Sequence, residues 1–346
     1  MNILVTGSAG FFGNYVTQYL IERGHYVIGI DNLSRKGSEL NYNNQRIDSR
    51  MEFYIGDISK SEDLEFLKAK TIDWIIDCAA EPSVLAGFDG GSRSLINNNL
   101  ISTINLLEIC REKGCGFILM STSRVYSIKA LSEIQIVEGP DRFITYQHDG
   151  VDESFSTQNP ISLYGATKLT SEILAKEYSQ MFNFPVWINR CGVIAGKGQF
   201  GKIDQGVFSF WIYSWLRRKN VQYIGFGGNG KQVRDVVHPF DICEVMNKQI
   251  EDRTITDDCT FNLGGGFENS MSLLQLTNWC KDNISDENLA ISSDVVRPFD
   301  IPAFIMNTKK AEERWSFRNT YDMDSILREI RDYAINNPEF LQYLHS

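Results

Sequence analysis

A chain of 346 residues can bury a sizeable core, and its length predicts about two domains. A formal net charge of −10 and the lack of any Lys/Arg-rich run argue against a nucleic-acid binder, which needs a basic surface to neutralise phosphates. Seven cysteines without a Cys-x-x-Cys pair are expected as reduced, mostly buried thiols of a cytoplasmic protein, and the four scattered histidines (His25, His148, His238, His345) form no zinc-ligand pattern, so no metal is expected.

Ile3 to Thr6 predict a short strand that runs into Gly7-Ser8-Ala9-Gly10-Phe11-Phe12-Gly13, followed by helical periodicity from Tyr15 to Arg23 that stops at Gly24. The motif lies so close to Met1 that no signal sequence is expected, and no apolar run is long enough to cross a bilayer. In such a strand, turn and helix unit, Gly7 permits the tight turn, Gly10 lets backbone approach a pyrophosphate, and Gly13 packs the helix close to the strand. The helix amino end, with Phe11 and Phe12, then meets the phosphates. The next strand, Tyr26 to Ile30, ends at Asp31-Asn32, where an acid can accept hydrogen bonds from ribose hydroxyls. That favours NAD and repels a 2′-phosphate, although Arg35 and Lys36 follow closely and keep NADP as the alternative.

Phe53 to Ile55 predict a third strand leading to Gly56-Asp57-Ile58, a turn with a helix cap. Asp73 to Asp77 form an apolar-rich strand ending at Cys78-Ala79-Ala80-Glu81-Pro82-Ser83, where Ala79 and Ala80 would let a cofactor lie close. Leu95 to Arg111 read as a long helix ending before Gly114, with an apolar stripe at Leu100, Ile104 and Leu107. Phe117 to Met120 are a buried strand that delivers Ser121-Thr122-Ser123-Arg124-Val125-Tyr126 to the carboxyl edge of the sheet, where open α/β sheets bind ligands. Residues 127–157 are polar and irregular, a lid or insertion near the substrate.

Ser162-Leu163-Tyr164-Gly165-Ala166-Thr167-Lys168 places a tyrosine and a lysine one helical turn apart on a shared face. A phenol with an ordinary pKa of about 10 is a poor base near neutrality, so catalysis by Tyr164 needs a cation that stabilises its phenolate, and Lys168 can be that cation. Val186 to Arg190 predict another strand, after which the chain crosses into a second lobe through the glycine-broken loop 198–206, which includes Gln205, and an aromatic helix from Val207 to Leu216. Within Tyr223 to His238, Arg234 offers forked donors suited to phosphate oxygens, while Asp235, His238 and Asp241 are expected in structural roles. Phe261 to Gly265 should end the sheet, and a helical period from Asp322 to Asn336 closes the second lobe.

These segments resemble the extended short-chain dehydrogenase/reductase superfamily, in its NAD-dependent nucleotide-sugar epimerase/dehydratase branch. Within that branch Ala79 to Val84, Ser121 to Tyr126, Asn189 to Val193, Asp204 to Phe208 and Gly230 to Asp235 are most similar to the CDP-paratose (tyvelose) 2-epimerase group. The resemblance implies a Rossmann-type doubly wound parallel sheet with a smaller mixed C-terminal substrate lobe. It divides the chain into a cofactor domain (1–189 and 236–264) and a nucleotide-sugar lobe (190–235 and 265–346). It implies Thr122, Tyr164 and Lys168 as the catalytic set, with Ser123 the fallback for Thr122. Asp57, Ile58 and Asn99 join the cofactor contacts; Ser123, Arg124, Gln205, Arg234, Arg297 and Asp300 hold the substrate, Arg297 as a second diphosphate arginine and Asp300 on the nucleoside ribose. Many relatives carry a phosphate-contacting asparagine where Val193 stands, so that contact is not expected here. The Leu95 and Tyr164 helices would build a homodimer.

Dehydratases of this superfamily place an aspartate and a glutamate directly after the strand-end threonine, and this chain has Ser123 and Arg124 there. The resemblance therefore implies redox-only chemistry: epimerisation at carbon 2 of a CDP-linked 3,6-dideoxyhexose through a transient ketone. The alternatives are a nucleotide-sugar oxidoreductase or dehydratase with exchangeable NAD, and a non-catalytic NAD-binding regulator.

Overall fold

Short apolar runs that alternate with helices can bury both faces only as a parallel sheet covered on each side. In the computed structural model, which describes residues 1–87, 90–146, 149–159, 161–202 and 205–343, seven such runs form one parallel sheet. They are β1 (Asn2–Thr6), β2 (Tyr26–Asp31), β3 (Met51–Ile55), β4 (Trp74–Asp77), β5 (Gly116–Thr122), β6 (Val186–Cys191) and β7 (Thr260–Leu263). Their order is β7-β6-β5-β4-β1-β2-β3, so the winding reverses between β1 and β4 and opens a crevice at their carboxyl ends. The register runs Leu4 against Ile28 and Ile75, and Leu119 against Ile188, which stacks branched apolar side chains in layers. Ile3, Ile75, Ile118 and Trp187 are completely buried in the resulting core.

The long helix expected from Leu95 to Arg111 spans residues 92–113 and is not uniform. A π-helical turn at Asn97–Ile101 interrupts it, and the helix ends at Gly114 with φ at +65°. Such single π turns put an extra residue on one face; here the turn contains the buried Asn99. The Tyr164 helix runs Ser162–Phe182, and helix Pro239–Glu251 packs on helix Phe11–Glu22 at the first crossover.

The second lobe is a small sheet in which Val233–Val237 pairs antiparallel with Ser270–Ser272 and parallel with Ala303–Phe304 and Val193–Ile194. Helix Val207–Leu216, apolar all round, is wrapped by Leu273–Asn283 and Met323–Asn336, around a core of Trp211, Trp215, Leu276, Ile326 and Ile330. Asp322 caps the last helix by accepting from the Ser325 amide at 2.8 Å, at the start expected from the sequence.

Residues 127–157 depart from an irregular segment. They contain helix Ile128–Ser132 and a hairpin of Ile136–Glu138 with Phe143–Thr145. Three-residue strands are too short to display a period of two, so only the tertiary partners show them: Phe143 donates to the Lys231 carbonyl and Arg142 to Ser270, which ties the hairpin to the second lobe. Helix Ser38–Gln45, polar and weakly periodic, had no signal either. His148, His345, Ile203 and Asp204 lie outside the described residues. Among the described residues no helix is long and apolar enough to cross a membrane, and no three His, Cys, Asp or Glu residues gather as a metal site. All seven cysteines are free, and all but the half-buried Cys78 are buried.

Candidate active site

The glycine turn after β1 is a cradle that side chains would fill. A Cβ on Gly13 would stand 2.1 Å from the Gly7 carbonyl oxygen, and one on Gly7, whose φ is +61°, would stand 2.9 Å from Ala79 Cα. The helix that starts at Phe11 has Gly10 as its cap, with no side chain bonded to the first amides, which leaves them to an anion. Asp31 ends β2 and closes the cradle: its Oδ2 accepts from the Ala9 amide at 3.1 Å and its Oδ1 from the Leu33 amide at 2.8 Å. Burial pushes the Asp31 carboxyl up, against the pull of those amides. Each oxygen retains acceptor capacity for ribose hydroxyls. Arg35, one of the two cations on which the NADP alternative rests, donates to the Phe200 carbonyl at 2.6 Å. The cradle, the bare helix start and the acid at the end of β2 fit a dinucleotide with an unphosphorylated ribose.

The remaining expected cofactor residues divide. Ala79 and Ala80 follow β4, and the Ala79 amide donates to Thr6 Oγ1 at 3.2 Å, with Thr6 bonded in turn to the buried Asp77. Asn32 accepts from the Ser34 amide. Asp57 accepts from the Ser59 amide and hydroxyl, a turn cap, and Ile58 is buried in the core. Asn99 spends its side chain on protein: Oδ1 accepts from the Glu81 amide at 2.8 Å and Nδ2 donates to the Glu81 carbonyl at 3.1 Å. It holds the loop after β4 in place, and its own carbonyl accepts from Ser171 on the Tyr164 helix.

Thr122, Tyr164 and Lys168 come together at the carboxyl edge. Tyr164 is 7% and Lys168 2% exposed. Their helix is seated tightly on the turn after β5, because a Cβ on Gly165 would stand 2.2 Å from the Arg124 carbonyl oxygen. Burial pushes the Tyr164 phenol up to about 12, while hydrogen bonding with Thr122 and the charge of Arg124 work the other way. Burial lowers the Lys168 pKa, opposed by Asp77 and Glu172.

Beneath the trio lies a buried polar network that the sequence reading missed. Ser121 donates to Glu172 Oε1 at 2.5 Å, and Arg190, at the end of β6, grips Glu172 through Nε and NH2, the latter at 2.7 Å. Arg190 also reaches the Tyr126 hydroxyl, which donates to Asn262 Oδ1 at 2.7 Å. Glu153 closes the chain by accepting from the Asn262 amide. The network pins β5, β6, β7 and the Tyr164 helix at the level of Thr122. Its signal was present as spacing: Tyr164, Lys168 and Glu172 fall four apart.

Beside the trio, a cleft is lined by Ser123, Arg124, Tyr126, Val193, Arg234, Asp235 and Phe304, among others. Arg234 NH2 donates to Asp300 Oδ1 at 2.6 Å and to the Ile301 carbonyl at 2.8 Å. Arg124 NH1 donates to the Phe299 carbonyl at 3.3 Å. Burial lowers the pKa of both arginines, of Arg124 to about 10, and each feels the like charge of Arg297. Three guanidinium groups thus converge around one carboxylate, Asp300, an arrangement that favours a polyanion. Val193 is paired into the small sheet. Asp235 accepts from the Gly265, Gly266 and Met306 amides, and His238 bonds Glu329 at 2.9 Å and accepts from the Phe240 amide, the structural roles expected for them. Thr320 is bonded to Asp241. Gln205 stands apart beside the undescribed Asp204, paired through its backbone with Lys202.

The sequence model of the NAD dependent epimerase/dehydratase family matches residues 3–264. A CDP-paratose 2-epimerase from Salmonella typhi is 30% identical over 322 residues, 90% of this chain and 92% of that protein. Among solved structures, a UDP-glucuronic acid 4-epimerase from Bacillus cereus in complex with UDP-glucuronic acid and NAD superposes with a TM-score of 0.80 at 26% identity, over 97% of this chain and 99% of that one. A UDP-glucose 4-epimerase from Thermotoga maritima with UDP-glucose gives 0.78 at 25% identity, over 98% and 100%.

Proposed function

We propose, from the premise that this chain belongs to the NAD dependent epimerase/dehydratase family, that it is a nucleotide-sugar epimerase inverting carbon 2 of a CDP-linked 3,6-dideoxyhexose through a transient ketone. The observation that carries the reading is the junction of Thr122 and the buried Tyr164 and Lys168 with a three-arginine anion site through a turn that bears Ser123 and Arg124, and no acid. That turn supports redox chemistry without elimination. The choice of CDP and of carbon 2 is supported by likeness to the Salmonella protein.

In this reading, residues 1–189 and 236–264 hold the cofactor and residues 190–235 and 265–346 the nucleotide sugar. Gly7, Gly10, Phe11, Phe12 and Gly13 receive the pyrophosphate, and Asp31 with Asn32 the adenosine ribose. Asp57, Ile58, Ala79 and Ala80 flank the adenine and nicotinamide ends, while Asn99 acts through the loop it holds. Bound NAD⁺ supplies a hydride acceptor that also returns the hydride. Tyr164, as phenolate, takes the proton of the sugar hydroxyl and gives it back; Lys168 stabilises that phenolate and holds the nicotinamide ribose; Thr122 polarises the oxygen. Arg234, Arg297 and Arg124 retain the diphosphate while the flat ketone turns over, with Ser123 and Gln205 toward the sugar nucleotide and Asp300 exchanging its arginine for the nucleoside ribose. The exposed Ile101, Leu163, Ile173 and Met181 on the two long helices support a homodimer, with the cytoplasm as its place.

The test is NMR of the protein with a CDP-3,6-dideoxyhexose deuterated at carbon 2. The expected product is the 2-epimer with the label retained and no deuterium taken up from heavy water. Solvent label at carbon 2 would sink the redox mechanism, a product lighter by one water would restore a dehydratase, and inversion at carbon 4 in place of carbon 2 would move the oxidised carbon.

A further inference from the structure

Arg124 is placed by three independent constraints. Its amide donates to Thr122 Oγ1 at 3.2 Å. Its carbonyl oxygen lies against Gly165, which seats its backbone on the helix that carries Tyr164. Its guanidinium makes, among the described residues, one hydrogen bond, to the Phe299 carbonyl in the segment that brings Arg297 and Asp300 to the anion site. No carboxylate pairs with it among those residues, because Asp300 is bonded to Arg234.

A half-buried cation without an acid partner exerts its field on whatever ionisable group lies nearest. Those groups are Arg234 and Arg297, of like sign, Asp300, whose charge acts on Arg124 although its hydrogen bond goes to Arg234, and the Tyr164 phenol. Among the described residues these groups act on Tyr164. Arg124 approaches from the turn after β5, Glu81 from the loop after β4, Cys191 from the end of β6, and Lys168 lies on its own helix. Burial raises the Cys191 thiol to about 12, so it is neutral at working pH, and Glu81 opposes ionisation of the phenol.

We infer that Arg124 is a second activating cation for Tyr164, beside Lys168, and that its bond to Phe299 links the diphosphate-binding segment to the base. Arg124 is then a positioning residue that acts through Tyr164. A diphosphate seated on the three arginines draws the guanidinium toward itself and changes the field at the phenol, so occupancy of the anion site and strength of the base are coupled. This rests on Tyr164 being the base of the redox site and adds the group that tunes it.

The test reads the Tyr164 ionisation without any sugar. Difluorotyrosine is incorporated at position 164 in the NAD-loaded protein, where the ring fluorines bring the phenol into a range the fold tolerates, and its fluorine NMR shift is titrated with pH. In Arg124→Met the midpoint should rise by about one pH unit, the order expected for loss of a unit charge several ångströms away in a partly screened site. Arg124→Lys, which keeps the charge, should return it to within about 0.3 unit. Retention of NAD and the circular dichroism spectrum show that each variant is folded; if Arg124→Met is not, Arg124→Gln replaces it. A midpoint that moves by less than about 0.3 unit in the neutral variant, or equally far in Arg124→Lys, would overturn the inference. Titrating the parent protein with cytidine diphosphate should raise the midpoint, and no change there would remove the coupling. None of these results depends on which nucleotide sugar, if any, is turned over.

Discussion

The two halves of the site are built on different principles. The half proposed for the cofactor is made of backbone: the Gly7 to Gly13 turn, the amides at the start of a helix, and the ends of β1, β2 and β4, with Asp31 held by two amides of its own neighbourhood. The half proposed for the substrate is made of long side chains, Arg124, Arg234 and Arg297, from three distant stretches, restrained mostly by one carboxylate and a few carbonyls. Backbone cradles are rigid and tolerate little substitution; arginine clusters are adjustable, and each member contributes an increment of affinity. One half suits a group shared by a whole family, and the other suits a group that differs from relative to relative.

The sharpest way to break that contrast is at Tyr164 and Lys168, which stand on the rigid half. Tyr164→Phe and Lys168→Met each remove proton chemistry with little change of volume, and turnover measured by NMR should fall by about 10³-fold or more while NAD stays bound. Near-normal turnover in Tyr164→Phe would show that another group is the base. Next in size is the seam between the halves. Gly165→Ala drives a methyl group into the Arg124 carbonyl oxygen, a backbone atom that cannot swing aside, and should cost about 3 kcal/mol, read as a lower denaturation midpoint. An unchanged midpoint would mean that the turn after β5 gives way freely, and the positioning of Thr122 and Arg124 would lose its anchor. The smallest effect is expected on the adjustable half. Arg234→Ala removes charged hydrogen bonds worth roughly 1.5–3 kcal/mol, so KM should rise about 10- to 100-fold with kcat nearly unchanged. A collapse of kcat with KM intact would move Arg234 from substrate retention to the chemistry.

The same contrast explains what was legible beforehand. The cofactor half could be read because its function is a local spacing: Gly7, Gly10 and Gly13 within one turn, an acid at the end of the next strand, Tyr164 and Lys168 one helical turn apart. Arg234 and Arg297 were legible as arginines with a resemblance, yet the bond from Arg234 to Asp300 was not, because the two lie 66 residues apart. Asn99 was expected near the cofactor from the resemblance alone; within a π turn its side chain bonds the Glu81 backbone, and backbone irregularity of that kind leaves no mark on hydrophobic period.

By itself the sequence determined the seven short strands, their alternation with helices and the pairing of Tyr164 with Lys168 on one helix face, since each follows from patterns within some ten residues, while the doubly wound sheet and the place of Thr122 were expected from the resemblance. Only the tertiary structure decided the network of Ser121, Glu172, Arg190, Tyr126 and Asn262, the hairpin at 136–145 and the partnership of Arg124 with Phe299. Buried polar groups must find partners wherever the chain brings a donor to an acceptor, and that pairing is a property of the folded contact map, with no local periodicity to announce it.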